Sequence, residues 1–152
     1  MFDKLLTMFR PKTAATAAPE TSDDERALAV AALLVEAARA DENYDVSEKA
    51  IIDGALEKTF ALSGDDAAAL RARAEDAQSN ALDIQRFTRR AKEMPHNEKL
   101  AFIETLWEIV LSDGDRNPYE DTLMRRICGL IYVEDRESGL ARARVEERIE
   151  TS

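Results

Sequence analysis

A short acidic pattern occurs twice in this chain, and the two copies lie 72 residues apart. Residues 41–48 read DENYDVSE and residues 113–120 read DGDRNPYE. Glu36 and Glu108 extend the pattern upstream, so that both copies follow the rule E-x4-D-x-[ND]-x-[DN]-x2-E. Apolar residues with helical spacing flank each copy on both sides. The repeat therefore predicts two helix–acidic loop–helix units in one protein.

The apolar pattern favours an all-α fold, a compact bundle of about seven helices with two pseudo-repeated halves. No stretch alternates with the period of two that a strand needs, and no hairpin dipeptide occurs. Helices are predicted over 81–94, 96–111 and 135–150, and Ser63 is the predicted N-cap of an Ala-rich helix. The run 96–111 is apolar around most of its circumference, which is typical of a central helix. The predicted core contacts of the last helix are Leu140, Val145 and Ile149.

Composition divides the chain into three segments. Residues 1–10 place Phe2, Leu5, Leu6 and Phe9 on one face, which predicts a short amphipathic helix. Residues 11–22 form a Pro/Ala/Thr linker, and residues 23–152 form the helical domain. Because two helical turns are unstable alone in water, residues 2–9 are expected to dock on their own domain, on a partner or on a membrane surface.

The charge balance restricts the class of partner. With 21 Lys and Arg against 31 Asp and Glu, the net charge is −10, which disfavours nucleic acid and favours cations or a protein partner. The single cysteine, Cys128, lies in an apolar run and is predicted to be a buried, inert thiol. No stretch approaches the roughly 20 apolar residues of a membrane span. The expected location is the cytoplasm, with peripheral attachment to the inner membrane as an option; the oligomeric state is left open.

The acidic loops are candidate divalent-cation sites. Asp41 and Asp113 each lie at the C-terminal end of a predicted helix, where the helix dipole disfavours an anion by about 0.3–1 kcal/mol. A hard cation such as Ca²⁺, Mg²⁺ or Mn²⁺ would collect their oxygens and remove this penalty. The candidate metal ligands are Asp41, Asn43, Asp45, Glu48, Asp113, Asp115, Asn117 and Glu120.

Part of the pattern also has a purely structural explanation. Asp45 with Glu48, and Asn117 with Glu120, match the spacing of helix capping boxes, and Pro118 suits the first helical position. The pattern is not an EF-hand, because the Glu follows the first Asp too early and the mid-loop Gly is missing. Capped, solvated turns that bind no ion are therefore the alternative interpretation.

Catalysis finds little support in the residue inventory. The chain has one histidine, His96, so that a zinc site of the His/Cys type cannot be assembled. It has no Gly-rich phosphate loop, nucleophile elbow or CxxC pair. No catalytic or cofactor-binding residue is predicted, the chain is expected not to be an enzyme, and metal-assisted hydrolysis is kept only as a lesser alternative.

The second loop and its flanks resemble a known family. Residues 106–145 are similar to the C-terminal half of the TerB-like domain, which occurs in tellurite-resistance TerB and at the N-terminus of DjlA-type co-chaperones. The family signature is a helix that ends in an Asp-Gly turn, followed by a Glu that opens the next helix. It maps here onto Asp113, Gly114 and Glu120.

The first half resembles the same family less closely. Ala40, Asp41 and Glu48 match the signature, whereas Glu42 replaces the glycine. The resemblance covers about residues 24–145. It implies a helical binding module without enzymatic activity, with metal binding through the loops, in a stress-related (tellurite-resistance-like) or envelope-associated assembly. A metal-independent protein-interaction or adaptor domain is the alternative.

Overall fold

The computed structural model describes residues 22–40, 44–112 and 118–151, and within these ranges the chain is helical without any strand. The helices are α1 (Ser22–Arg39), α2 (Val46–Phe60), α3 (Gly64–Asn80), α4 (Gln85–Ala91), α5 (His96–Leu111), α6 (Pro118–Ile131) and α7 (Asp135–Thr151). The predicted all-α class and number of helices are confirmed. The predicted amphipathic segment 1–10 and residues 11–21 of the predicted linker lie outside the described residues.

The helices α1–α3 are repeated as α5–α7, with α4 as the connection. Val46 and Pro118, the first residues of α2 and α6, are 72 residues apart, whereas Gly64 and Asp135, the first residues of α3 and α7, are 71 apart. The offset falls by one because α6 is one residue shorter than α2. At an offset of 71 the buried positions of the third helices coincide: Ala67, Leu70 and Ala74 correspond to Ser138, Ala141 and Val145. The duplication therefore spans three helices in each half.

Both second helices end in the same backbone conformation. Ala61 and Tyr132, which follow α2 and α6, have left-handed φ angles of 55° and 66°. The amide of the next residue then donates to the carbonyl five residues back, at 3.1 Å for Leu62 and 2.9 Å for Val133. This is the hydrogen bond of a Schellman motif, which normally favours glycine at the left-handed position. The two halves thus share their turn geometry as well as their helices.

The helix enclosed on all sides is α1. Every residue from Ala29 to Ala38 is buried except Glu36, and α1 packs against α2, α3, α4 and α5. The helix α5 packs against α1, α2, α6 and α7, and it buries one broad face that includes Ile103, Leu106 and Val110. The prediction of α5 as the central helix is therefore incomplete. The small alanines of α1 allow neighbours to approach from every side, which its sequence pattern alone does not reveal.

The fourth helix is shorter than the predicted 81–94. It covers only Gln85–Ala91, because a side-chain oxygen of Asp83 accepts a hydrogen bond from the amide of Gln85 at 2.8 Å and replaces the preceding helical turn. Ile84, Phe87 and Ala91 are buried as their spacing indicates.

The core contacts of α7 differ from the predicted set. Val145 is buried, but Leu140 and Ile149 are each 49% exposed. Ser138 and Ala141 lie against α5 instead, at the spacing of one narrow helical face. The predicted contacts follow the largest side chains, whereas close helix packing selects the small ones.

Candidate functional site

The candidate site lies at the loop end of the bundle, where α1 and α5 end and α2 and α6 begin. The structure describes three of the eight predicted oxygen donors, namely Asp45, Glu48 and Glu120. The other five lie outside the described residues: Asp41, Asn43, Asp113, Asp115 and Asn117. In the part of the chain that the structure describes, no three His, Cys, Asp or Glu side chains form a group that could hold a metal ion. The metal site thus stays a prediction that depends on the loop residues themselves.

Asp45 is the N-cap of α2, as the capping-box spacing indicates. Its Oδ1 atom accepts hydrogen bonds from the amide of Glu48 at 3.0 Å and from the hydroxyl of Ser47 at 2.7 Å. The Oε1 atom of Glu48 accepts in return from the amide of Asp45 at 3.4 Å. These bonds, first of all the one from the Glu48 amide, hold the pKa of Asp45 below its usual value. Asp45 therefore stays ionised with its Oδ1 atom already engaged.

Two glutamates at equivalent positions of the repeat are buried directly behind the loops. Glu48 is 3% exposed and Glu120 is 2% exposed, and each lies in the first turn of its helix. The amides of a helix N-terminus favour negative charge there. Burying a carboxylate is unfavourable unless polar groups surround it. We therefore infer that the surroundings of Glu48 and Glu120 are polar, although the rest of the bundle interior is apolar.

A hydrogen bond joins the flanks of the two loops. The hydroxyl of Tyr119, at the start of α6, donates to Oε2 of Glu36 on the last turns of α1 at 3.2 Å. The side-chain amide of Gln78 on α3 donates to the other oxygen of Glu36 at 2.8 Å. Burial, and next the charge of Glu36, raise the pKa of Tyr119. The described flanks of the two acidic loops are thus neighbours at one end of the bundle.

An arginine anchors the helix that precedes the first loop. Nη1 of Arg39 donates to the side chains of Gln78 at 2.6 Å and Ser79 at 2.8 Å, and to the backbone carbonyl of Glu75 at 3.3 Å. These acceptors belong to the last turns of α3, so that α3 holds the C-terminal end of α1. The guanidinium also lies 5.2 Å from the ring centroid of Tyr44, which follows the loop.

Tyr44 also contacts α3, through a second network of hydrogen bonds and salt bridges. Its hydroxyl donates to Oε2 of Glu75 at 2.6 Å, and Arg71 bridges Glu75 at 2.9 Å and Asp53 of α2 at 2.6 Å. Burial, followed by the hydrogen bond to Glu75, raises the pKa of Tyr44 well above its usual value. Burial alone would raise the pKa of Glu75, but the hydrogen bonds from Tyr44 and Arg71 hold it below its usual value. The spacing of Arg71 and Glu75 along α3 is the only sequence signal for this network.

The other chemically distinctive side chains lie elsewhere and have structural roles. Cys128 is buried as predicted, and burial raises the pKa of its thiol. His96 is exposed and contacts Glu137 at 2.5 Å, from the start of α5 to the start of α7. The indole of Trp107 is buried and donates to the hydroxyl of Ser138 at 3.1 Å.

The family assignment follows from the sequence over this architecture. The family described as tellurite resistance protein TerB matches residues 27–143, from the second turn of α1 into α7. The chain belongs to the TerB family. The TerB match includes both acidic loops and agrees with the resemblance over about residues 24–145. No curated protein and no solved structure matches this TerB-family chain significantly. Among its described helices, none combines the length and hydropathy needed to cross a membrane.

Proposed function

We propose that this TerB-family chain is a non-enzymatic binding module whose two acidic loops take up a divalent cation, with Ca²⁺, Mg²⁺ and Mn²⁺ as the candidates. The cation-loaded loop end would then bind a protein partner. We place this role in the cytoplasm, within a stress-related or envelope-associated assembly, as the family description and the amphipathic residues 2–9 suggest.

The observation that carries this proposal is the hydrogen bond between Tyr119 and Glu36. It supports a single region in which the carboxylates of both loops act together on one ion or on neighbouring ions. Such ions are coordinated by six or more oxygens, more than one short loop supplies easily. The buried carboxylates of Glu48 and Glu120 add negative charge close behind the loops, where the protein interior screens it less than water does.

A metal-independent adaptor is the second candidate, and a specific observation favours it. Asp45 already accepts two hydrogen bonds within its capping box, and Tyr44 and Arg39 are held by α3. The flanks of the first loop are therefore held by hydrogen bonds within the protein. In this alternative the acidic loop end binds a basic partner surface directly, by charge complementarity.

Calorimetric titration of chelator-treated protein with Ca²⁺, Mg²⁺ and Mn²⁺ separates the two candidates. The cation proposal predicts saturable binding. The dissociation constant is expected to rise by about tenfold or more in Asp41→Asn or Asp113→Asn, because each change removes a charged ligand. Asp65→Asn is the matched control, since Asp65 is exposed in the first turn of α3, at the end of the bundle away from the loops. Equal heats in all three variants, or no heat with any ion, would contradict cation binding at the loops and leave the adaptor role.

A further inference from the structure

An apolar groove of about 790 Å³ lies at the end of the bundle away from the loops, where α1 starts, α2 ends and α3 passes. Its apolar lining comprises Ala27, Phe60, Leu62, Ala69, Leu70 and Ala72. We propose that this groove binds the N-terminal stripe of the same chain, defined as Phe2, Leu5, Leu6 and Phe9. Docking would remove apolar surface of both the stripe and the groove from water, which is favourable in proportion to the area buried.

Chain connectivity places the stripe within reach of the groove. Asp24 and Ala27, in the first turns of α1, line the groove, and the first 21 residues join the bundle directly at Ser22. Residues 10–21 span up to about 40 Å when extended, and a helix over residues 2–9 is about 12 Å long. A tethered segment of this kind experiences an effective concentration in the millimolar range, so that a weak intrinsic affinity is sufficient.

The two halves of the repeat differ at residues that border this groove. At the repeat offsets, Asp24 and Asp66 of the groove correspond to His96 and Glu137. His96 and Glu137 contact each other and join the starts of α5 and α7. Asp24 and Asp66 are both acids and cannot form such a pair with each other. The rim of the groove has mixed charge, with Arg26 and Arg73 beside Asp24, Asp66 and Glu98.

The residues at the floor of the groove also differ between the two halves. Ala27 corresponds to Lys99 at an offset of 72, so that the second half carries a long cationic side chain where the first half has a methyl group. Phe60 and Leu62 are only half-buried, although they are large apolar side chains at the end of α2. Their counterparts in the second half at an offset of 71, Ile131 and Val133, are buried, so that the end of α2 leaves more apolar surface uncovered than the end of α6.

Limited trypsin digestion of the full chain tests the docking directly. The Lys4–Leu5 bond lies inside the stripe, and the Lys12–Thr13 bond lies in the predicted linker and serves as the internal reference. Docking predicts that the Lys4 bond is cleaved about tenfold or more slowly than the Lys12 bond, because cleavage requires local opening. Equal cleavage rates at the two bonds would overturn the proposal.

Variants on both sides of the contact test its location. The double variant Ala69→Glu/Ala72→Glu places charge in the groove at two exposed positions of α3, and Leu6→Ser/Phe9→Ser removes half of the stripe. Each is expected to equalise the two cleavage rates. Ala143→Glu is the matched control, because Ala143 is the exposed counterpart of Ala72 in α7 and should leave the protection unchanged. Protection that persists in the groove variant would overturn the assignment to this groove.

The dependence of the trypsin protection on protein concentration identifies what occupies the groove. Binding within one chain predicts protection that is independent of protein concentration and a monomer-sized species in sedimentation velocity. Protection that rises with concentration together with a dimer would show that a second copy supplies the stripe, and it would overturn the intramolecular proposal. Protection that arises only with vesicles of anionic phospholipid would assign the stripe to a membrane surface and would overturn it as well.

Discussion

The hydroxyl of Tyr119 lies 3.2 Å from a carboxylate oxygen of Glu36, although 83 residues separate them along the chain. Glu36 precedes the first acidic loop and Tyr119 follows the second, so that this one hydrogen bond links the flanks of both loops. Glu36 is also the only residue between Ala29 and Ala38 that is not buried. Within its buried stretch from Ala29 to Ala38, the central helix α1 thus presents one polar side chain, and this side chain contacts the start of α6 at the loop end.

Removing the hydroxyl in Tyr119→Phe is expected to lower the free energy of unfolding by about 0.5–1 kcal/mol, because Tyr119 is partly exposed and water replaces part of the lost hydrogen bond. Urea denaturation followed by circular dichroism measures the change. Tyr132→Phe is the control, since the Tyr132 side chain is more exposed, and its effect should stay within about 0.5 kcal/mol. Equal losses in the two variants would argue against a stabilising contact at Glu36.

The two buried glutamates should contribute similarly to stability because they occupy equivalent positions of the repeat. Glu48→Ala and Glu120→Ala are each expected to lower the free energy of unfolding by about 1–3 kcal/mol, since each removes a buried carboxylate from the groups that interact with it. Glu147→Ala, at an exposed position of α7, should change it by no more than about 0.5 kcal/mol. Thermal and urea unfolding of the three variants provide the comparison. A neutral result at Glu120 alone would show that only the first half uses its glutamate structurally.

Glu75 should make stability depend on pH in the acidic range. Hydrogen bonds from Tyr44 and Arg71 keep its pKa in the folded state below the ordinary value of 4.5. Its stabilising effect is therefore complete above that value and is lost as the pH falls through the folded-state pKa, where the unfolded chain binds the proton more readily. Glu75→Gln should be less stable than the parent at neutral pH and should lose less stability between about pH 5 and pH 3. The measurement is the urea midpoint of the parent and of Glu75→Gln across this pH range. If Glu75 had no such role, the two midpoints would change with pH in parallel, as is expected for the control Glu147→Gln.

The left-handed residue after α2 predicts a stabilising substitution. Ala61 has a φ of 55°, and a side chain in this region is unfavourable by about 1 kcal/mol relative to glycine. Ala61→Gly is therefore expected to raise the melting temperature. Ala81→Gly is the counterpart, because Ala81 follows α3 with a φ of −84°, where glycine only adds freedom to the unfolded chain and should lower stability. Differential scanning calorimetry distinguishes the two signs.

The repeat of acidic residues was sufficient to predict the two helices that flank each loop. Helical spacing around the loops indicated α1, α2, α5 and α6, and the Ser63 cap of α3 is confirmed by its hydrogen bond from the amide of Asp66 at 3.1 Å. These features depend on residues close together in sequence, for which capping and periodicity are direct signals. The third helix of each repeat was not recognised as equivalent, because the loss of one residue from α6 changes the offset.

The contacts between helices could not be predicted from capping and periodicity. Tyr44 and Glu75 are 31 residues apart and Arg39 and Gln78 are 39 apart, and a single sequence carries no signal that pairs them. Side-chain size also misled the prediction for α7, where Ala141 rather than Leu140 lies against the core. Five of the eight predicted metal ligands lie outside the described residues, so that their role stays a prediction.

The anchoring of Arg39 and Tyr44 has a thermodynamic consequence for the loops. These residues border the first loop, and both are held by α3, so that the entropy of bringing its two ends together is already lost on folding. At the second loop, Ser112 donates a hydrogen bond back to its own helix, and Pro118 opens the next helix. Tyr119, which borders the second loop, is in turn held by Glu36. Folding thus fixes flanks of both loops, and a ligand that bridges the loops would not have to bring these flanks together.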